Sequence, residues 1–145
     1  MNDMNEMIVR ALEIAAVAHA GQVDKAGAPY ISHPIAVAGL VETPEEKMVA
    51  YLHDVVEDTD VTMQDLKEAG FSEAVLDAVR AMTHGEGEPR EEYLKRVKAN
   101  PLARKVKLAD LTHNSDLSRI PDPKEKDIKR RERYLKEKEY LLEEE

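Results

Sequence analysis

The chain has 145 residues, a formal net charge of −9 and no cysteine. That length suits one ordinary domain with its own core, and the missing cysteine excludes disulfides and thiolate metal sites, in keeping with a reducing compartment. No apolar run approaches the ~20 residues of a membrane helix. The N-terminus shows no basic stretch leading into an apolar one, so the expectation is a cytoplasmic protein with no membrane partner. Almost all of the negative charge lies before Asp122; an acidic body repels phosphate backbones, which argues against nucleic acid as a partner.

Aromatics make up 4% of the chain and tryptophan is absent, while Ala, Leu, Glu, Lys and Met are plentiful, a helix former's composition. Apolar residues at helical spacing predict a helix over 4–20, closed by Gly21. Residues 22–32 have no helical period and read as an ordered loop. Pro34 suits the first turn of a short helix reaching 41. Thr43 caps the next helix, which carries Met48, Val49, Leu52, Val55 and Val56 in one run. Thr62, with Asp65 in a capping-box-like place, opens a short helix that ends at Gly70, and Ser72 caps another through 82. Residues 85–89 form a polar, mobile-looking loop. Helices over 91–99 and 101–117 follow, the second opened by proline. Pro121-Asp122-Pro123 breaks the chain, and 124–143 form a highly charged helix that reads as a solvated outer element. There is no internal repeat, no Gly-rich phosphate loop and no alternating strand pattern. The prediction is an all-α chain of about seven or eight helices. Residues 1–121 form its main domain; 122–145 are a charged C-terminal helix, part of the same domain or packed on it.

The stretch His53-Asp54-Val55-Val56-Glu57-Asp58 sets four polar residues into an apolar helix. His53 and Glu57 are four apart, as are Asp54 and Asp58, so one turn presents a His beside a carboxylate and the next two carboxylates. Clustered acids repel unless a cation or proton sits among them. The plain alternative is an exposed helix end, although acids there oppose the helix dipole. His33 opens a helix after a rigid loop; alone it reads as a cap or core residue. Asp110 and Asn114 lie four apart on a mostly apolar helix, with Lys107 three before Asp110; alone, Asp110 reads as a buried hydrogen-bonded acid. Together His33, His53, Asp54 and Asp110 are a two-His, two-carboxylate set from three helices. Such a set suits a hard or borderline divalent metal such as manganese or iron, which lowers the pKa of bound water enough for attack on phosphorus. His19 reads as orienting the loop after it, His84 as exposed, and His113 as a packing or supporting residue.

The order His33, His53-Asp54, Asp110 resembles the H…HD…D pattern of the HD-domain metal-dependent phosphohydrolases. Four blocks carry a closer resemblance, to the hydrolase domain of RelA/SpoT-type proteins and their small stand-alone relatives, over about residues 8–120. They are His19-Ala20-Gly21-Gln22, Gly27-Ala28-Pro29-Tyr30-Ile31-Ser32-His33-Pro34, Leu52-His53-Asp54-Val55-Val56-Glu57-Asp58-Thr59 and Lys107-Leu108-Ala109-Asp110-Leu111-Thr112-His113-Asn114. The resemblance implies a single HD-domain helical bundle and a phosphohydrolase that removes pyrophosphate from the 3′ position of guanosine tetraphosphate. It implies one manganese on His33, His53, Asp54 and Asp110, with Glu57 and Asp58 as the acidic pair that handles the attacking water and the leaving group. Asn114 would contact the nucleotide's sugar or phosphate and Lys107 a phosphate. Two positions depart from the pattern. Where the relatives carry an arginine that packs on the guanine base, this chain has Asp24, with Lys25 a partial substitute. The arginine of their Ala-Asp-Arg-Leu-His-Asn run is Leu111. An arginine placed at Asp24 is therefore expected to strengthen nucleotide binding. The alternatives are another nucleotide phosphohydrolase and a non-catalytic, metal-containing nucleotide sensor. The expected partner is a small nucleotide, and a homo-oligomer is compatible with this reading.

Overall fold

In the computed structural model, which describes residues 4–24 and 26–143, polar residues flanking the apolar runs start the helices. Thr43 accepts from the Glu46 amide at 3.1 Å, and the Glu46 carboxylate accepts from the amides of Thr43 and Glu42. Thr62 and Asp65 make the same reciprocal pair. Ser72 accepts from Val75, and Asn100 from Ala103. Each pairs amides that a first turn leaves without an internal partner. The elements are α1 (Met4–Ala18), α2 (Ser32–Gly39), α3 (Pro44–Leu52), α4 (Val55–Asp58), α5 (Met63–Glu68), α6 (Glu73–Met82), α7 (Arg90–Ala99), α8 (Pro101–Asn114), a 3₁₀ turn (Leu117–Arg119) and α9 (Glu125–Leu142). Among the described residues α4 is the one-turn helix beside eight longer ones, and there is no strand. A lone antiparallel bridge joins Val23 to Pro29 in the loop before α2. The all-α expectation holds. No helix among the described residues is long and apolar enough to cross a membrane.

The core is built round α3. Val49, Ala50 and Leu52 are fully buried, and α3 packs against α1, α2, α6 and α8. Ala11 and Ala15 of α1 are equally buried, and their small size lets that helix come close. Leu111 of α8 is fully buried as well, so its side chain belongs to the core and not to a cleft wall.

Three sequence expectations change. The helix expected to run through Val56 is broken: α3 stops at Leu52, His53 caps it, and Asp54 opens α4. The His53 ring reaches back to the Ala50 carbonyl, Nδ1 to O 2.6 Å, competing with the backbone ladder in the last turn. The loop over 85–89 is pinned rather than loose. Arg96 donates to the carbonyls of Ala81 and Thr83 and makes a two-pronged contact with Glu88, whose carboxylate also accepts from the Gly85 amide at 3.0 Å. The C-terminal helix α9 is not simply a solvated outer element. It lies on α8 and α7 with Asp127, Glu137 and Leu141 buried. Glu137 accepts two bonds from Arg90, each 2.8 Å.

Arg96 and the Gly85 amide hold the Glu88 carboxyl down to a pKa of about 2. A depressed acid stabilises the fold above its unfolded pKa, about 4.3, and that contribution is lost as pH falls towards 2. The stability advantage of wild type over Glu88→Gln should therefore be constant above about pH 5 and shrink below it. Denaturant unfolding across pH measures this; an advantage independent of pH would contradict the pinned loop.

Candidate metal centre and substrate cleft

One helix start, one break between helices and one helix interior deliver four side chains to one point. α2 brings His33 from its first turn, the break between α3 and α4 brings His53 and Asp54, and the middle of α8 brings Asp110. Their donor atoms all lie within 4.8 Å of one another. His33 Nε2 is 2.7 Å and His53 Nε2 3.2 Å from Asp110 Oδ1; His53 Nε2 is 3.1 Å and His33 Nε2 3.9 Å from Asp54 Oδ2. His33, His53 and Asp110 are buried. Each ring has its Nδ1 engaged elsewhere, His53 with Ala50 O and His33 with His113 Nδ1 at 2.7 Å, so both aim Nε2 inward. Two imidazole nitrogens and two carboxylates aimed at one point, each ring tethered from behind, are a donor set that fits a divalent cation.

Outer contacts hold the acids. Tyr30 donates its hydroxyl to Asp54 Oδ2. Lys107 donates to Asp110 Oδ2 at 3.0 Å and Asn114 to Asp110 Oδ1 at 3.3 Å. Burial opposes charge on Asp110, but Lys107 first and then His33 and His53 outweigh it and hold this carboxyl well below the usual range. Burial likewise opposes charge on His53, yet Asp54 and Asp110 hold its proton more tightly than usual. A cation entering here displaces that proton. Burial and the Asp54 charge push the Tyr30 hydroxyl far up, so it stays a neutral donor.

Comparison with known proteins places this geometry. The HD domain family profile matches residues 11–111. The chain belongs to the HD-domain family. A probable GTP pyrophosphokinase of Mycobacterium leprae is 33% identical over 87% of this chain and 18% of its own length. A guanosine-3′,5′-bis(diphosphate) 3′-pyrophosphohydrolase of Haemophilus influenzae is 40% identical over 70% of this chain and 17% of its own. The chain thus spans less than a fifth of these curated relatives. A solved structure of a metazoan ortholog of SpoT, described as hydrolyzing ppGpp, is similar with a TM-score of 0.77. It is 26% identical and is matched over 94% of this chain and 85% of that one.

In this HD domain, His53-Asp54 is the dyad at the helix break. A cleft of about 410 Å³ opens directly on His33 and is walled by Val23, Asp24, Tyr30, Asn114, Ile120, Arg130 and Tyr134. Of the remaining sequence candidates, Asn114 lines the cleft and touches Asp110. Glu57 and Asp58 are exposed, with carboxylate oxygens within 4.8 Å of Asp54, and Glu57 accepts from the His84 amide at 2.6 Å. Burial, then Asp54 and Glu57, raises the Asp58 pKa. Lys107 is placed behind Asp110, buried and ion-paired, not on the cleft wall. Lys25 lies outside the described residues. His19 is buried with Nδ1 3.1 Å from Gln22 Oε1, a hold on the loop that follows. His84, read as exposed, is half-buried with its ring edge-on to Tyr93. The sequence reading missed Tyr30, Arg130 and Tyr134. The last two sit four apart on α9, one helical face, a spacing that could have flagged them.

Besides lining the cleft, Asp24 holds its own loop. Its Oδ1 accepts from the amides of Ala26 at 2.9 Å and Ala28 at 3.0 Å, and its own carbonyl accepts from Gly27. Gly27 takes φ +86° in this turn, a conformation that suits glycine. Asp24 shapes the loop and through it the cleft wall. Asp24→Arg removes an acceptor that two amides share and should cost roughly 1–3 kcal/mol of stability without tightening nucleotide binding, whereas Asp24→Asn keeps the acceptor and most of the stability. Thermal unfolding and nucleotide titration of both variants check this; a stable, tighter-binding Asp24→Arg would restore the sequence expectation.

Proposed function

We propose that this chain is a manganese-dependent nucleotide phosphohydrolase that removes the 3′ diphosphate of guanosine 3′,5′-bis(diphosphate), acting in the cytoplasm. The observation that carries the reading is the convergent four-residue donor set, whose His33 lines an open cleft, with an acidic pair one turn beyond it. The Haemophilus influenzae relative is named for this hydrolysis and the metazoan structure is described as hydrolyzing ppGpp. The Mycobacterium leprae relative is named for pyrophosphokinase activity. Hydrolysis fits this chain better, because a two-His, two-Asp site that opens on solvent is suited to activating water, and the sequence carries no Gly-rich phosphate loop.

His33, His53, Asp54 and Asp110 would hold the ion, and manganese suits this N/O donor set. The ion supplies positive charge that polarises phosphate and makes water more acidic. In the overall reaction a water oxygen bonds phosphorus, the bond from that phosphorus to O3′ breaks, and one proton from water ends on O3′. The products are guanosine 5′-diphosphate and pyrophosphate. Asp58 and Glu57, next to Asp54, take water's proton and return one to the leaving oxygen, the ordinary work of paired carboxylates. Asp58 is the better acid/base of the two, since Glu57 has one oxygen on the His84 amide. Arg130, ion-paired with Asp127, brings a guanidinium to the cleft that can extend to phosphate, and Tyr134 brings an aromatic ring for a base. In this reading residues 1–121 form the catalytic body and 122–145 the helix that completes its cleft.

With Leu111 buried and Asp24 holding its own loop, α9 joins the loop before α2 in walling the cleft and adds its own contacts for reading the substrate. That favours a second reading within the same chemistry, a phosphohydrolase for another nucleotide. Purified chain loaded with manganese should be screened against guanosine tetraphosphate, nucleoside mono-, di- and triphosphates and their 3′-phosphorylated forms. Release of pyrophosphate from guanosine tetraphosphate is the expected result. Turnover of nucleotides lacking a 3′ phosphate, with none of guanosine tetraphosphate, would select the second reading, and no turnover of any would favour a sensor. On the substrate found, Glu57→Gln with Asp58→Asn should retain the metal and lose about 10²–10⁴ in kcat. An unchanged rate would remove the acid/base role.

A further inference from the structure

The two histidines of the centre are tethered in different ways. His53 Nδ1 meets the Ala50 carbonyl, which can only accept a hydrogen bond. Its proton is therefore fixed on Nδ1 and its Nε2 is committed to facing inward as a lone pair or a second N–H. His33 Nδ1 instead meets another imidazole nitrogen, Nδ1 of His113, at 2.7 Å, with the two ring centroids 4.8 Å apart. Either nitrogen of that pair can be donor or acceptor.

Resting on the metal reading above, we propose that His113 is the positioning residue that sets the tautomer of His33 and so makes its Nε2 a metal donor. Two ring nitrogens at 2.7 Å share one proton: two protons would clash, and none would set lone pair against lone pair. If the shared proton belongs to His113, His33 keeps its own on Nε2 and donates it to Asp110 Oδ1, 2.7 Å away. If it belongs to His33, Nε2 of the neutral ring is an unprotonated lone pair, an arrangement that needs a cation between it and the Asp110 and Asp54 oxygens, and His113 carries its proton on Nε2. The second arrangement alone lets His33 ligate. His113 and Asp110 are three residues apart on α8, so one helix delivers both the carboxylate ligand and the acceptor that prepares the imidazole ligand opposite it. His53 is a fixed donor, and His33 is a conditional one governed by His113.

The test compares His113→Phe, which keeps a ring and removes the acceptor, with His113→Asn. The Asn side-chain oxygen stands as many bonds from Cα as His Nδ1 does and can accept from His33. Manganese affinity of the full chain is measured by titration calorimetry on metal-free protein, with unfolding midpoints as a control for the fold. His113→Phe should lose about 10–100-fold in affinity, and His113→Asn should stay close to wild type. Ring nitrogen spectra of the zinc-loaded wild type should show His33 protonated on Nδ1 alone, a readout that needs no variant. Wild-type affinity in His113→Phe, equal losses in both variants, or His33 protonated on Nε2 in the loaded protein would each overturn the proposal. Failure of the metal reading looks different: wild type and His33→Ala would then titrate alike, and the proposal would fall with it.

Discussion

Asp54 and Asp110 hold carboxylate oxygens within 4.8 Å of each other, Asp110 buried and Asp54 half-buried. Two like charges at that distance repel by roughly 3 kcal/mol even at an effective dielectric of ~20, and burial adds to the cost of each. Much of the surrounding structure offsets that repulsion. Lys107 is buried three residues before Asp110 and spends its ammonium on it. His53 keeps a proton between the two acids, and Tyr30 gives Asp54 a hydroxyl. A divalent cation at the centre would add the largest local positive charge and would leave the imidazoles as neutral ligands.

The bundle is arranged so that this cluster survives. α3 is the buried axis, and its ladder gives way where the pattern of side chains requires it, at His53 and Asp54. Those two adjacent residues can then both point to the centre, which an unbroken helix would not allow, since neighbours in sequence diverge by about 100° round a helix. The same break turns α4 so that Glu57 and Asp58 stand beside Asp54 at the solvent edge. Glu57 ties this edge to the loop after α6, which Arg96 fastens from the other side.

The helices and their starts were legible because they depend on local physics. Apolar spacing and Thr, Ser and Pro at helix starts were enough for most boundaries. The four converging residues were legible because polar groups on apolar helices are costly and call for a reason. Other parts depend on distant partners. The sequence of α9 suggests a solvated helix because its inner stripe, Asp127, Arg130, Tyr134, Glu137 and Leu141, is mostly polar. Hydrophobic periodicity cannot report a face that is buried through ion pairs such as Arg90–Glu137. The loop over 85–89 looks mobile in sequence because its anchor, Arg96, lies on the following helix. Lys107 suggests a phosphate contact by its charge, although three residues before Asp110 on a helix is itself a pairing distance. Asp24 carries a local turn signal, an acid three residues before a glycine, that its charge obscures.

Crystals grown with manganese, examined by anomalous scattering, test the central claim most directly. The account predicts one strong peak bounded by Nε2 of His33 and His53 and by carboxylate oxygens of Asp54 and Asp110, with no second peak of equal height. A peak at Glu57 and Asp58 instead, or manganese bound nowhere near the four residues, would contradict it.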